Sequence, residues 1–307
     1  GTVGVYNYKT GEILCALTTP TYDPDNVPDI ASDTSGQYDG VYLNRFLQST
    51  YVPGSIFKVV TTAAALDCVP DILDKTFTCY GAYEYGTEKV TCEKAHGTLT
   101  LKTALANSCN CSFAQIAELV GKKNMVKYVE QFGVTDSLSF DGVTTAEGNY
   151  DISNTAPVSF AWSCIGQHTD RYMTFMGAIA GGGVGAEPYL VSEVRSGEEM
   201  TYEAKTKTTG RIMSQDVADQ VRAYMRNNVQ SVYGDWNFNG MNVCAKSGTS
   251  QLGGGQKSNA MFAGFVEDEQ YPLAFIVVVE NGGYGSATCV PVLSKVLAAC
   301  KSVLDGE

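Results

Sequence analysis

The sequence is poor in positive charge. Lys and Arg number 21 against 33 Asp and Glu, a formal net charge of −12. A surface this acidic repels phosphate backbones and anionic headgroups, which argues against nucleic acid as a partner and against a basic lipid-binding patch. Histidine is scarce, with two in the chain, and the cysteines at 15, 68, 79, 92, 109, 111, 164, 244, 289 and 300 form no Cys-x-x-Cys pair. Zinc-finger spacing is therefore missing, and no metal site is expected. No stretch approaches the apolar length needed to cross a bilayer; the strongest run, Pro272 to Val279, reads as a buried strand. Internal repeats and low-complexity tracts are absent. Nothing at the start has the form of a secretory signal, since Gly1 leads straight into strand-like sequence. The expectation is an excised or processed domain whose anchor is not shown.

What is there is ordinary globular material. The 307 residues are 44% hydrophobic and 18% charged, enough for one large domain or two moderate ones with a real core. Most cysteines read as single buried side chains, small hydrophobes without a partner. Cys79 and Cys92 flank a turn-rich segment containing Gly81 and Gly86, so one local disulfide is the alternative for that pair.

Thr2 to Tyr8 and Glu12 to Leu17 read as two strands of a hairpin around Lys9-Thr10-Gly11, followed by a Pro/Asp-rich loop over 19–40. Ser55 to Leu66 has no Gly or Pro and is apolar on most faces, which predicts a buried helix. Turns and short strands are expected over 71–98. Helices are expected over 99–106, 111–120 (with Gly121 as its cap), 122–132, 173–180, and from an N-cap at Ser214 to about Asn228. Three strands (243–250, 261–267, 272–279) and a helix from Pro291 to Leu304 close the chain. The terminal strands then pair into one sheet with the helical middle inserted between them. The fold class is α/β (α+β): a mainly antiparallel sheet flanked by helices, with an inserted, mostly helical lobe. The expected boundaries are 1–54 plus 232–307 for the sheet lobe and 55–231 for the helical lobe.

Three short motifs carry candidate chemistry. Ser55-Ile56-Phe57-Lys58 opens the first buried helix. Positions i and i+3 share a helix face, so Lys58 lies beside the Ser55 hydroxyl. A serine is a weak nucleophile until a base takes its proton, and burial can lower a lysine's pKa far enough to serve. Ser108-Cys109-Asn110 lies between two helices, where a second hydroxyl can shuttle protons and an amide can bind a carbonyl. Lys246-Ser247-Gly248-Thr249 lies in a strand and offers a cation and two hydroxyls to a carboxylate. Its glycine allows close backbone approach, and a strand N–H can complete an oxyanion hole with the N–H of Ser55. Each motif alone also reads as something plainer: an N-cap with a surface lysine, a helix cap, an edge strand with solvated residues. Lys9-Thr10-Gly11 has the same lysine-hydroxyl-glycine pattern as Lys246-Ser247-Gly248, but at a hairpin turn, and reads as structural.

Taken together, in this order and in these contexts, the motifs are far more specific. The chain resembles the transpeptidase domain of penicillin-binding proteins, and most of its length fits that family. Further segments are similar to the class B branch: Gly11-Glu12-Ile13-Leu14 with its Pro/Asp-rich loop, His96-Gly97, Gly166-Gln167, and Asn259-Ala260-Met261-Phe262. The resemblance implies that Ser55 attacks the carbonyl between the two terminal D-alanines of a peptidoglycan stem peptide while Lys58 takes its proton. It implies that Ser108, near Lys58 and Lys246, passes a proton to the leaving amine, and that Asn110 holds the substrate amide. Ser247, Gly248 and Thr249 bind the substrate, with the two hydroxyls on its carboxylate or that of a β-lactam. The N–H groups of Ser55 and Thr249 stabilise the oxyanion, and an amine from a second stem peptide resolves the acyl-enzyme. No cofactor and no metal are implied. Other cell-wall synthesis proteins are the implied partners, and the implied location is the outer face of a bacterial cell membrane, through an anchor that is not in the chain.

Departures from the family pattern are Cys109 in the middle of Ser-x-Asn and His168-Thr169-Asp170 where the family has Thr-Pro after Gln167. The class B pedestal domain is also missing. Cys109 is expected as a small side chain turned away from the site, and His96 as a structural residue. The rival activities are a D,D-carboxypeptidase, a β-lactamase and a β-lactam sensor. Lys246 stands 138 positions after Ser108, a greater separation than in the more compact lactamases, and no segment resembles their deacylating loop. The class B-like segments favour cross-linking over hydrolysis.

Overall fold

The structure, a computed structural model, describes residues 1–167, 173–251 and 255–306. Strands β1 (Thr2–Asn7) and β2 (Ile13–Thr18) form the expected hairpin around Lys9-Thr10-Gly11. Helix α1 (Arg45–Gln48) follows, its first turn capped by the Asn44 side chain. A 3-10 turn, Gly54–Ile56, runs into α2 (Lys58–Cys68), so Ser55 sits in a tight turn leading to the helix rather than in the helix itself.

The next segment contains β3 (Thr76–Cys79), β4 (Ala82–Tyr85), β5 (Glu88–Thr91) and β6 (Gly97–Thr100), with β3 paired to β6 and β4 to β5. Helix α3 (Leu101–Ala106) starts two residues later than expected because Thr100 caps it, exchanging capping-box bonds with Thr103. α4 (Asn110–Val120) and α5 (Lys122–Phe132) follow, the second stopped by Gly133 in the left-handed conformation. A small hairpin, β7 (Ser139–Phe140) and β8 (Val143–Thr144), precedes α6 (Pro157–Ile165) and α7 (Met173–Ala180). The motif-poor stretch that follows holds β9 (Val184–Ala186), β10 (Glu193–Ser196), β11 (Glu199–Glu203) and β12 (Thr208–Arg211). Helix α8 (Gln215–Asn228) has Ser214 as its N-cap and continues into a π-helical turn, Val229–Tyr233. The chain closes with β13 (Val243–Ser250), β14 (Asn259–Val266), β15 (Leu273–Val279) and α9 (Gly285–Asp305).

The central sheet has the order β13-β14-β15-β1-β2, and every neighbouring pair in it is antiparallel. The terminal strands thus pair as expected. Both faces of the sheet are buried, which explains the nearly continuous apolar runs of β14 and β15. Alternate residues divide between two cores. Phe262, Leu273, Phe275 and Val277 pack with Cys289, Leu293 and Leu297 of α9. Met261, Phe265, Ala274 and Ile276 belong to the larger core, which also contains α2, α4, α7 and α8.

α9 departs from the sequence expectation twice. It begins at Gly285, leaving Pro291 inside the helix rather than at its first turn. Burial of the stripe Cys289, Leu293 and Leu297 on the sheet outweighs the hydrogen bond that Pro291 cannot donate. And its 21 residues are, by length and composition alone, apolar enough to cross a membrane. In the fold this helix lies along β13, β14 and β15 with one face buried.

Candidate active site

The three motifs meet at one end of β13. Ser55 is half-buried in the 3-10 turn before α2, and Lys58, in the first turn of α2, is fully buried. The Lys58 Nζ donates to Ser55 Oγ at 3.0 Å, to the Ser108 carbonyl at 2.7 Å, to Ser108 Oγ at 3.2 Å and to Asn110 Oδ1 at 2.7 Å. The Phe113 ring lies 5.5 Å from the same nitrogen. Lys246, also fully buried, donates from Nζ to Ser108 Oγ at 3.1 Å and to the Ser247 carbonyl at 2.9 Å. The Ser108 hydroxyl therefore bridges two lysines, one of which reaches the Ser55 hydroxyl.

Burial favours the neutral form of both amines. It holds Lys58 well below the ordinary lysine value, with the charge of Lys246 acting in the same direction. It lowers Lys246 to about 7. A neutral lysine beside a serine hydroxyl is a competent general base. Ser108 itself sits at φ +51°, an unusual conformation for a serine. The loop between α3 and α4 holds it there, with its N–H donating to the Leu105 carbonyl.

Backbones touch around Ser55. A Cβ on Gly248 would lie 2.5 Å from the Pro53 carbonyl oxygen and 3.0 Å from Ile56 Cγ1. The close approach allowed by Gly248 is thus to the turn that carries Ser55, not to a substrate backbone on that side. Gly166, at φ +113°, lies against the other side of the same turn, where a Cβ would fall 2.0 Å from the Gly54 carbonyl oxygen. Its carbonyl accepts from the Gly54 N–H at 3.0 Å. The Ser55 turn is wedged between β13 and the end of α6, backbone against backbone, with the Ile56 side chain also against Gly248.

Ser247 and Thr249 alternate with buried Lys246 and Gly248 along β13 and are half-buried. Ser247 Oγ lies 3.0 Å from the Tyr233 hydroxyl, which also accepts from the Ser247 N–H at 3.0 Å. Thr249 Oγ1 accepts from the Gly285 N–H at 3.1 Å. The Asn110 amide donates to the Thr91 carbonyl at 2.9 Å, so its oxygen faces Lys58 and its nitrogen faces β5. Tyr233 is a site residue that motif reading misses. It is held edge-on to Phe262 (centroids 5.0 Å apart), which stacks on Phe275. A lone tyrosine after a helix carries no sequence signal of this role.

All ten cysteines are free, so the Cys79–Cys92 disulfide is not formed. Cys109 is fully buried, and its Sγ contacts Cys92 Sγ at 3.7 Å and the Ser112 hydroxyl at 3.1 Å. The fold also gathers four side chains that no spacing in the sequence brings together: the ligand atoms of Cys79, Cys92, His96 and Cys109 all lie within 4.8 Å of one another. His96 is half-buried there, its Nδ1 3.5 Å from Cys79 Sγ. Gln167 is exposed, and His168-Thr169-Asp170 lies outside the described residues.

A family model described as the penicillin binding protein transpeptidase domain matches residues 1–298. Similar curated proteins include stage V sporulation protein D of Bacillus subtilis, 27% identical over 95% of this chain and 47% of its own length. Another is peptidoglycan D,D-transpeptidase PbpA of Mycolicibacterium smegmatis, 26% identical over 97% of this chain and 66% of its own. The chain thus spans about half of the first relative and just under two thirds of the second. Among solved structures, the D,D-transpeptidase domain of a peptidoglycan glycosyltransferase from Eggerthella lenta superposes with a TM-score of 0.85 at 27% identity, covering 98% of this chain and 78% of that one. The ceftriaxone acyl-enzyme complex of penicillin-binding protein A from M. tuberculosis has the same fold, with a TM-score of 0.84 at 23% identity over 97% of this chain and 73% of that one.

Proposed function

The chain belongs to the penicillin-binding protein transpeptidase family, and on that premise we propose that it is a serine D,D-transpeptidase that cross-links peptidoglycan stem peptides and is acylated by β-lactams. The observation that carries this is the chain of polar atoms from Ser55 Oγ through Lys58 Nζ to Ser108 Oγ and Lys246 Nζ. An N-cap serine with a solvated lysine has no use for two buried amines sharing one hydroxyl.

In this reading neutral Lys58 accepts the Ser55 proton as Oγ forms its bond to the carbonyl carbon of the penultimate D-alanine. The oxyanion lies against the N–H groups of Ser55 and Thr249. The C–N bond to the terminal D-alanine breaks as a proton reaches that nitrogen from Ser108, which is resupplied by the Lys58–Lys246 pair. The amine of a second stem peptide then attacks the ester, loses its proton to the same relay and returns Oγ–H to Ser55. Ser247 and Thr249 hold the terminal carboxylate, with Tyr233 fixing the Ser247 hydroxyl. Asn110 orients the stem-peptide amide through its remaining N–H. Residues 1–307 act as one catalytic domain, with a sheet lobe (1–54 and 232–307) and a helical lobe (55–231). It works on the outer face of a bacterial cell membrane, anchored by a further segment and accompanied by other cell-wall synthesis proteins. No organic cofactor takes part.

Intact mass after mixing with benzylpenicillin tests this, with Ser55→Ala as control. A long-lived single adduct that is lost in the variant is expected. An adduct that clears within seconds identifies a β-lactamase, and no adduct removes Ser55 as nucleophile; either overturns the reading. With a stem-peptide donor and an amine acceptor, a cross-linked product is expected. Release of D-alanine with hydrolysis alone identifies a carboxypeptidase instead.

A further inference from the structure

We propose that Cys79, Cys92, His96 and Cys109 form a tetrahedral Cys3His site that binds one zinc ion. The four come from separate places: the end of β3, the residue after β5, the residue before β6, and the N-cap of α4. Twelve, three and twelve residues separate them along the chain, a spacing that hides the group until the β3–β6 and β4–β5 hairpins fold over the start of α4.

Two of the six ligand–ligand distances match the edges of a zinc tetrahedron, and all six fall within 4.8 Å. Cys92 Sγ and Cys109 Sγ are 3.7 Å apart, and Cys79 Sγ lies 3.5 Å from His96 Nδ1. With Zn–S near ~2.3 Å and Zn–N near ~2.0 Å, the edges of a tetrahedron come to roughly 3.8 Å for S···S and 3.5 Å for S···N. A disulfide would instead need the sulfurs at about 2.05 Å. Donors to two of the sulfurs are already in place. Cys92 Sγ accepts from the Cys111 N–H at 3.2 Å, and Cys109 Sγ accepts from the Ser112 N–H at 3.4 Å and the Ser112 hydroxyl at 3.1 Å. These donors lie in the first turn of α4, where backbone N–H groups favour negative charge. Cys111 itself is turned elsewhere, toward the Val90 carbonyl at 3.7 Å.

Three sulfurs and one imidazole select a borderline-soft ion and disfavour magnesium or calcium, which take oxygen ligands. Four protein ligands leave no open position, so the site is structural rather than catalytic. As three Zn–S bonds form, three thiol protons pass to bulk water. The consequence reaches the reaction through Cys109, which stands between Ser108 and Asn110: an ion there fixes the backbone that holds both against Lys58. These four are positioning residues, and the inference stands on their geometry independently of the acyl-transfer reading.

The test is zinc content and affinity of the reduced chain, by elemental analysis after desalting and by competition with a chromophoric chelator. One zinc per chain is expected. The cobalt-substituted chain should show the intense thiolate-to-cobalt bands of a tetrahedral site. Cys79→Ser and His96→Ala should each weaken zinc binding at least tenfold, while His96→Cys, which restores four ligands, and Cys68→Ser, outside the cluster, should keep it. The inference is overturned if the reduced chain takes up no zinc, if neither ligand variant changes the affinity, or if Cys92 and Cys109 isolate as a disulfide and bind no zinc after reduction. Benzylpenicillin acylation of Ser55 is read separately, so loss of either result leaves the other standing.

Discussion

Ser108 shows at the scale of one residue how the site is legible and how it is not. Its letters, with Asn110, announce a motif, and the order Ser55, Lys58, Ser108, Lys246 is enough to expect a nucleophile, a base and a relay. What the letters do not carry is that both lysines are wholly buried and meet on a single hydroxyl, because burial is a property of the surrounding fold. That burial has a thermodynamic signature. Lys246 titrates near 7 in the folded chain against about 10.4 when solvated. Between those values the unfolded chain binds a proton that the folded chain does not, so stability rises with pH over that window. Below it both forms are protonated, and the cost of burying the charge is present in full. Melting temperatures measured from pH 7 to 9 should rise for the wild type. The slope should flatten in Lys246→Met, which removes one buried amine and relieves the other of a like charge. An equal slope in the two proteins would mean that Lys246 is solvated.

Elements rather than residues decide where these groups stand. The strands of the central sheet announce themselves by apolar content, as do α5, α7 and α8 by their periodicity and their caps. α9 is longer than its proline suggests, since a face packed along three strands outweighs one missing hydrogen bond. α6 passes unremarked in the sequence, although Pro157 at its first turn is a start signal. The Cys3His cluster is unreadable because its members become neighbours only when two hairpins close over α4. Contact between β13 and the Ser55 turn depends on Gly248, and Gly248→Ala tests it. The added methyl meets the Pro53 carbonyl oxygen, so a loss of about 1–3 kcal/mol in stability is expected from overpacking. β-Lactam acylation should fall about a hundredfold as the serine shifts relative to its base. Differential scanning calorimetry and stopped-flow acylation separate the two effects; an acylation rate within twofold of wild type would mean that the strand does not position Ser55.

Across the whole molecule, the excess of acidic over basic residues acts on stability rather than on fold. At a net charge of −12 long-range self-repulsion favours the expanded chain, and salt screens it. Raising sodium chloride from 20 mM to 300 mM should therefore raise the melting temperature, by about 2–4 °C for each kcal/mol recovered; a fall would mean that local ion pairs such as Arg45 with Glu280 outweigh the repulsion. The same scale gives the wedged turn its larger meaning. Because strand, turn and helix end meet there backbone to backbone, positions 248 and 166 on the two flanks of the Ser55 turn have no room for a side chain. Under selection by an antibiotic the two glycines would be expected to stay, and change to fall on side chains such as Tyr233, which touches the Ser247 hydroxyl.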